Sequence, residues 1–109
     1  MELSPEDAKL VTLARASRAR NGAAEGAAVR DLDGRTYAAS TVALESLRVA
    51  ALDLAVAMAV SSGAKGREGA AVVTDTASVD TTAVRDLAGS GVSVFVADAG
   101  GTVGAVQES

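Results

Sequence analysis

Cysteine and histidine, two residue types that carry much of protein chemistry, are both absent from this chain of 109 residues. Without them the chain cannot form a Cys- or His-ligated zinc site, a cysteine nucleophile, a Ser-His-Asp triad or a disulfide. The remaining chemical groups are carboxylates, hydroxyls, two lysines, eight arginines and backbone amides. Carboxylates could still bind Mg²⁺ or Ca²⁺. The composition therefore excludes most familiar catalytic mechanisms, and we expect no zinc and no other cofactor.

Large side chains are also scarce, with no tryptophan, one phenylalanine and one tyrosine beside 25 alanines and 15 valines. The length fits a single domain, and an apolar share of 49% is typical of a globular chain. A core of small side chains gains little free energy per residue, because each buried methylene contributes only ~0.8 kcal/mol. Burial between subunits would add to that gain, so the composition favours a homo-oligomer.

The net charge of -4 means that the chain lacks the positive field that binders of nucleic acids and anionic membranes need. Its first ten residues, MELSPEDAKL, are acidic and contain proline where a signal peptide would be basic and then apolar. The longest clean apolar run, residues 54–60, is far shorter than the ~20 residues that cross a bilayer. These features predict a cytoplasmic protein with no nucleic-acid or membrane partner, and a protein partner of unknown identity stays open.

Local signals place the first helix and a hairpin. Ser4-Pro5, followed by two acidic residues, predicts the start of helix 1, which Asn21-Gly22 ends. Two short extended runs, residues 26–30 and 35–39, flank Asp33-Gly34, and Asp-Gly is a strong hairpin signal. We therefore expect an antiparallel hairpin after helix 1.

The second predicted helix is capped by Ser40 or Thr41 and runs to about Ser62. From residue 47 to residue 60 it is apolar nearly all round, which indicates burial on more than one face. We expect this helix to make the contact between subunits. Close approach of a neighbouring helix would be permitted by its small residues, among them Ala50, Ala51, Ala55 and Ala59.

The second half of the chain predicts a strand, a helix and a strand in a right-handed parallel crossover, followed by a last strand. The expected elements are a connector at 63–69, strands at 70–74, 92–97 and 102–106, and a short helix at 80–88. Together with the first half, this order predicts an α/β fold, a three-layer α/β/α sandwich with a mixed five-stranded sheet.

Several short segments of the chain match a known family in the right order. Residues 26–40, GAAVRDLDGRTYAAS, are similar to a Gly-Ala-Ala hairpin with an Asp-Gly turn, and residues 59–66, AVSSGAKG, to the end of a catalytic helix. TDT at 74–76 and Arg85 also match in place. On these segments the chain resembles the small cytidine deaminases, which are zinc-dependent nucleoside deaminases. The resemblance extends from about residue 6 to residue 106, and it implies one cytidine deaminase-like domain and a tetramer with helix 2 near its centre.

The resemblance also shows which functional residues of the family are replaced. Ala50 and Leu52 stand where the family has a zinc-binding Cys and a proton-transferring Glu, and Thr81 and Val84 stand at its two other Cys ligands. The family segment that holds the ribose hydroxyls aligns with residues 41–44. Neither the metal nor the acid-base group of the family reaction has a counterpart here. The candidate site is therefore a vestigial cleft with no catalytic residue, formed by Ala50, Leu52, Thr81, Val84, Thr41 and Ala43.

Three carboxylates near these positions have ordinary structural interpretations. Asp53 is the one carboxylate within the apolar stretch of helix 2, and we interpret it as exposed or paired with an arginine rather than as a substitute acid. Asp80 fits a helix cap and Asp75 a strand end, so a metal pair is not expected.

Three hypotheses about function remain. The first is a pseudoenzyme that acts as an oligomeric scaffold or regulatory protein. The second is a module that binds a nucleoside or nucleotide in the vestigial cleft, which requires open space there, whereas Leu52 and Val84 favour a filled one. The third is a hydrolase with zinc-free chemistry, which requires at least two perturbed carboxylates in one pocket.

Overall fold

The computed structural model describes residues 2–109, and of Arg67 and Glu68 the backbone alone. The helices of this described part are α1 (Pro5–Asn21), α2 (Ala51–Ser61) and α3 (Thr82–Ala88). Its strands are β1 (Gly26–Asp31), β2 (Thr36–Ser40), β3 (Val42–Ala43), β4 (Arg48–Val49), β5 (Arg67–Val73), β6 (Ser93–Ala97) and β7 (Val103–Glu108).

Five strands form one mixed sheet in the order β2-β1-β5-β6-β7, in which β5 and β6 are parallel and the other neighbours antiparallel. One core cluster packs α1 against one face of this sheet, and a second packs α2 and α3 against the other face. The predicted α/β/α sandwich with a mixed five-stranded sheet is therefore confirmed. Within residues 2–109, no helix combines the length and apolar character needed to cross a membrane.

Helix α1 begins and ends where its local signals predict. The Ser4 hydroxyl accepts a hydrogen bond from the Asp7 N–H at 3.1 Å, and Pro5 occupies the first turn. At the other end Gly22 adopts a left-handed conformation with φ of 57°, and its N–H donates to the carbonyls of Arg18 and Ala19.

The β1–β2 hairpin is built around a buried carboxylate. Asp31 Oδ1 accepts the N–H groups of Asp33 and Arg35, each at 2.9 Å, and Gly34 turns the chain with φ of 82°. The Tyr37 hydroxyl donates to Asp31 Oδ2 at 3.0 Å. The predicted hairpin is therefore confirmed. The Asp31 side chain stabilises it by linking the turn to β2.

Helix α2 starts about ten residues later than the sequence predicts, so the prediction that Ser40 or Thr41 caps it is wrong. The Thr41 hydroxyl accepts the Glu25 N–H at 3.0 Å, and a tertiary contact therefore takes the group expected to cap the helix. The chain instead forms the small β3–β4 hairpin, closed by the Leu44 N–H donating to the Leu47 carbonyl at 2.9 Å. Ala50 then occupies the cap position of α2 without a side-chain hydrogen bond.

Other boundaries shift by a few residues. Strand β5 begins at Arg67 rather than at residue 70, because β1 continues past a bulge and pairs Asp31 with Arg67. Helix α3 begins at Thr82, and Asp80 accepts the Thr82 N–H and hydroxyl just ahead of it. The parallel crossover from β5 through α3 to β6 is confirmed.

Candidate functional site

Four of the six candidate positions lie at the beginnings of α2 and α3. Ala50 is exposed at the cap position of α2, and Leu52 in its first turn is only 3% exposed. Thr81 is buried immediately before α3, and Val84 in the first turn of α3 is fully buried. Leu52 and Val84 belong to one core cluster, so the starts of the two helices pack together through apolar side chains.

The donor set at these positions does not fit the zinc that the resemblance implies. Zinc in proteins is bound by thiolates, imidazoles and carboxylates. Ala50, Leu52 and Val84 present alkyl groups only, and Thr81 presents a neutral hydroxyl. Among the described residues, no three His, Cys, Asp or Glu side chains lie in a group that could share a metal ion.

The two positions aligned with the ribose-binding segment lie on the chain between β2 and α2. The Thr41 hydroxyl accepts from the Glu25 N–H at 3.0 Å and donates to the Glu25 carbonyl at 3.3 Å. Ala43 lies in β3 and exposes its methyl group to solvent. The hydroxyl of Thr41 is thus engaged within the chain, and Ala43 has no polar group to offer a ligand.

Two carboxylates, Asp53 and Asp80, lie next to the candidate positions, and the charge of Asp80 acts on Asp53. Partial burial, followed by the negative charge of Asp80, raises the pKa of Asp53. The hydroxyl and N–H of Thr82, helped by the charge of Arg85, lower the pKa of Asp80 against the effect of its burial. Asp53 itself is largely exposed. Asp53 and Asp80 are both exposed, so they form a pair at the surface rather than two carboxylates in a pocket.

The outer side of α2 is a feature that the sequence pattern did not resolve. Ala51, Ala55 and Ala59, which we expected between subunits, are buried against the sheet of their own chain. The opposite side is uncovered, and beside the charged Asp53 it exposes apolar residues, with Met58 38% and Val60 52% exposed. A shallow cavity of ≈ 390 Å³ lies on this side, lined by Tyr37, Leu54, Ala57, Met58, Ser61 and Ser62. We call these six residues the α2 face.

Another cavity, of ≈ 550 Å³, lies at the carboxyl ends of the parallel strands β5 and β6. Asp75 in its wall forms an ion pair with Arg18, with 3.0 Å between Asp75 Oδ2 and Arg18 Nη2. Asp98 accepts hydrogen bonds from the N–H groups of Gly100 and Thr102. Its buried Thr74 hydroxyl donates to Glu25 at 2.7 Å. These polar groups are therefore engaged with one another, although such strand ends often bind ligands in α/β sheets.

Comparisons with known proteins agree with this architecture. A family model described as cytidine deaminase-like matches residues 3–101. The cytidine deaminase of Burkholderia pseudomallei, solved at 1.6 Å, is 21% identical over 98% of this chain and 92% of its own, with a TM-score of 0.74. That of Mycobacterium leprae is 20% identical over 97% and 94%, with a TM-score of 0.72. No curated protein matches the sequence. At these identities the likeness to the solved structures is one of fold.

Proposed function

The chain belongs to the cytidine deaminase-like family, and we propose that it is a non-catalytic cytoplasmic member that acts as a homo-oligomeric scaffold or regulatory protein. The observation that carries this proposal is the packing of Leu52 and Val84. Both side chains are buried in the core between α2 and α3, at the positions where the resemblance places the proton-transferring Glu and a zinc ligand.

Deamination requires a water activated by a Lewis acid and a group that moves protons to and from the ring. An isobutyl and an isopropyl group can do neither. Asp53, which follows Leu52 in the chain, is exposed, and so is the neighbouring carboxylate of Asp80, so the two do not share an enclosed site. Leu52 and Val84 are packed into the core, so these two positions are filled rather than open, which disfavours the hypothesis of a nucleoside-binding module.

The assembly part of the proposal rests on the α2 face. Leu54, Ala57, Met58 and Ser61 follow the helical spacing i, i+3, i+4 and i+7, so they form one stripe along α2. The stripe carries no charge, and small Ala57 near its middle would let another helix approach closely. An uncharged stripe is complementary to itself, and a twofold contact between copies uses the same surface twice. We therefore assign a second copy of the chain as its occupant.

Sedimentation equilibrium with the variant Ala57→Glu tests the assembly. The parent chain should sediment above its monomer mass of 10.7 kDa. Burying an unpaired carboxylate at the contact costs several kcal/mol, on the order of 3–5, so the variant should sediment as a monomer. The matched control is Ala16→Glu, on the exposed side of α1, and it should behave as the parent does.

Two results would contradict the assembly. One is a parent mass of 10.7 kDa that does not change with concentration. The other is an Ala57→Glu variant that remains folded by circular dichroism and assembles as fully as the Ala16→Glu control.

Activity is tested separately. The purified protein should deaminate neither cytidine nor deoxycytidine, and it should contain far less than one zinc per chain. The cytidine deaminase of Mycobacterium leprae, assayed in parallel, provides the positive control. Turnover that survives rigorous removal of host deaminase, or about one zinc per chain, would overturn the non-catalytic assignment. A rise in melting temperature with added cytidine would instead favour a nucleoside-binding module.

A further inference from the structure

A cavity of ≈ 430 Å³ lies where α1 ends, on the opposite face of the sheet from α2 and α3. It is bounded by the end of α1, the chain just after it, the end of β5 and the turn between β6 and β7. Arg15 and Arg18 lie in its wall at a spacing of three residues, which places both on one side of the helix. The rest of the wall is largely apolar and includes Ala19, Ala23, Val73 and Ala99.

The Arg18 guanidinium is incompletely satisfied. Its Nε donates to the Ala23 carbonyl at 3.3 Å, and its Nη2 donates to Asp75 Oδ2 at 3.0 Å. Its Nη1 is buried, and in the part of the chain that the structure describes no acceptor lies within hydrogen-bond distance of it. A buried donor without an acceptor is costly and uncommon, so this nitrogen calls for an acceptor from outside the chain.

The acceptors near the cavity are already occupied. Arg15 Nε donates to the Ala99 carbonyl at 3.0 Å, and Arg15 forms no ion pair with any carboxylate of the described residues. The carbonyls of Arg18 and Ala19 at the end of α1 accept the N–H groups of Ala23 and Gly22. The lining of the cavity therefore carries two guanidinium groups and no carboxylate, and Asp75, which pairs with Arg18, lies outside that lining.

We propose that this cavity binds a small organic anion through a carboxylate or phosphate group held by Arg15 and Arg18. Guanidinium groups bind both kinds of oxyanion with paired, charge-assisted hydrogen bonds. The Asp75 side chain is 80% exposed, so its ion pair is weak and lets the Arg18 guanidinium turn Nη1 toward a ligand oxygen. The alanine and valine side chains of the wall receive a short aliphatic part of the ligand.

Calorimetric titration with inorganic phosphate and with butyrate, at constant ionic strength, tests this site. At least one probe should bind saturably, and which one binds tells a phosphate ligand from a carboxylate ligand. Arg15→Gln and Arg18→Gln should each weaken binding by about tenfold or more, since each removes charged hydrogen bonds. Asp75→Asn should tighten binding by up to about fivefold, because it removes a competing carboxylate.

Arg20→Gln is the matched control, because it removes the same charge from an exposed residue of α1 outside the cavity. It should change affinity by less than about twofold, as expected for a screened surface charge. Titration with the probe that binds should shift the NMR amide signals of Gly22, Ala23 and Ala99. The site is refuted if neither the parent nor Asp75→Asn binds either probe saturably. It is equally refuted if Arg15→Gln, which alters an exposed side chain, weakens binding no more than Arg20→Gln does.

Discussion

Replacing Gly26 by alanine should be one of the most destabilising single-methyl additions in this protein. Gly26 begins β1 at the point where α1 crosses the sheet. A Cβ atom added there would lie 2.8 Å from Arg18 Cβ and 2.9 Å from Arg18 N, and closer still to the Ala14 carbonyl oxygen. Unstrained contacts between such atoms are about 3.5 Å or longer, so the helix or the strand has to move.

The loss of stability expected for Gly26→Ala depends on which atoms would have to move. Two of the three atoms that the new methyl group meets belong to the backbone of α1, which cannot turn aside as a flexible side chain can. Overpacking a core typically costs about 1–3 kcal/mol, and a clash with backbone falls at or above the upper end. We therefore expect Gly26→Ala to lower the free energy of unfolding by about 3 kcal/mol or more. In a domain of this size that corresponds to a fall in melting temperature of roughly 10–20 °C.

Urea and thermal unfolding measured at one protein concentration would check this, with Gly104→Ala as the control. Gly104 lies in β7 with nothing within 4 Å of an added Cβ. Its replacement should be neutral or stabilise the fold by about 0.4–1 kcal/mol through the unfolded chain. If the two variants unfold within about 0.5 kcal/mol of each other, the close packing of α1 on β1 is not what holds this part of the fold.

Three further predictions concern buried or coupled side chains. Burial raises the pKa of Asp31, but hydrogen bonds from the hairpin outweigh burial and leave the pKa lowered. The variant Asp31→Asn should therefore have a lower melting temperature than the parent at neutral pH. The difference between the two melting temperatures should narrow as pH falls below 3.8, where the parent's carboxylate begins to lose its contribution. The variant Asp80→Asn, followed by NMR titration, should bring the pKa of Asp53 down toward 3.8. The pKa should not reach that value, because burial is the larger cause of the raised pKa and remains. An unchanged pKa of Asp53 would show that the two carboxylates do not interact. Leu52→Ala should cost about 2–5 kcal/mol in urea unfolding, against less than about 0.5 kcal/mol for exposed Leu47→Ala, and equal costs would mean that the position is not filled.

Local signals were sufficient for those parts of the fold that local contacts determine. The ends of α1 follow from Ser4 and Gly22, whose hydrogen bonds reach no further than five residues along the chain. The start of α2 could not be predicted in this way, because the Thr41 hydroxyl bonds to Glu25, sixteen residues earlier. A free Thr41 would be a good helix cap, and only the folded sheet removes it from that role.

The candidate surfaces likewise depend on tertiary contacts that local sequence signals do not show. Because α2 is apolar nearly all round, its periodicity cannot tell which side meets the sheet, and the alanines expected between subunits pack inside the chain instead. The cavity at Arg15 and Arg18 is defined by residues up to 84 positions apart, as the bond from Arg15 to Ala99 shows. No pattern of neighbouring residues could have indicated it. The predicted end of helix 1 at Asn21-Gly22 puts Arg18 in its last turn, but the unsatisfied nitrogen of Arg18 is a property of the tertiary structure.

The burial of Leu52 and Val84, at positions that the resemblance aligns with polar site residues of the family, also has a thermodynamic consequence. Among the side chains that the structure describes, the largest fully buried ones are one leucine and five valines, so the core has few large contributors. Burying a leucine or valine stabilises a fold by about 1.5–3 kcal/mol, whereas a buried Glu or an unmetallated ligand set would cost free energy. Val84 is one of those five valines, and the resemblance aligns it with a zinc ligand of the family. In a core this poor in large side chains, these two apolar residues supply stability that the rest of the chain provides only sparingly.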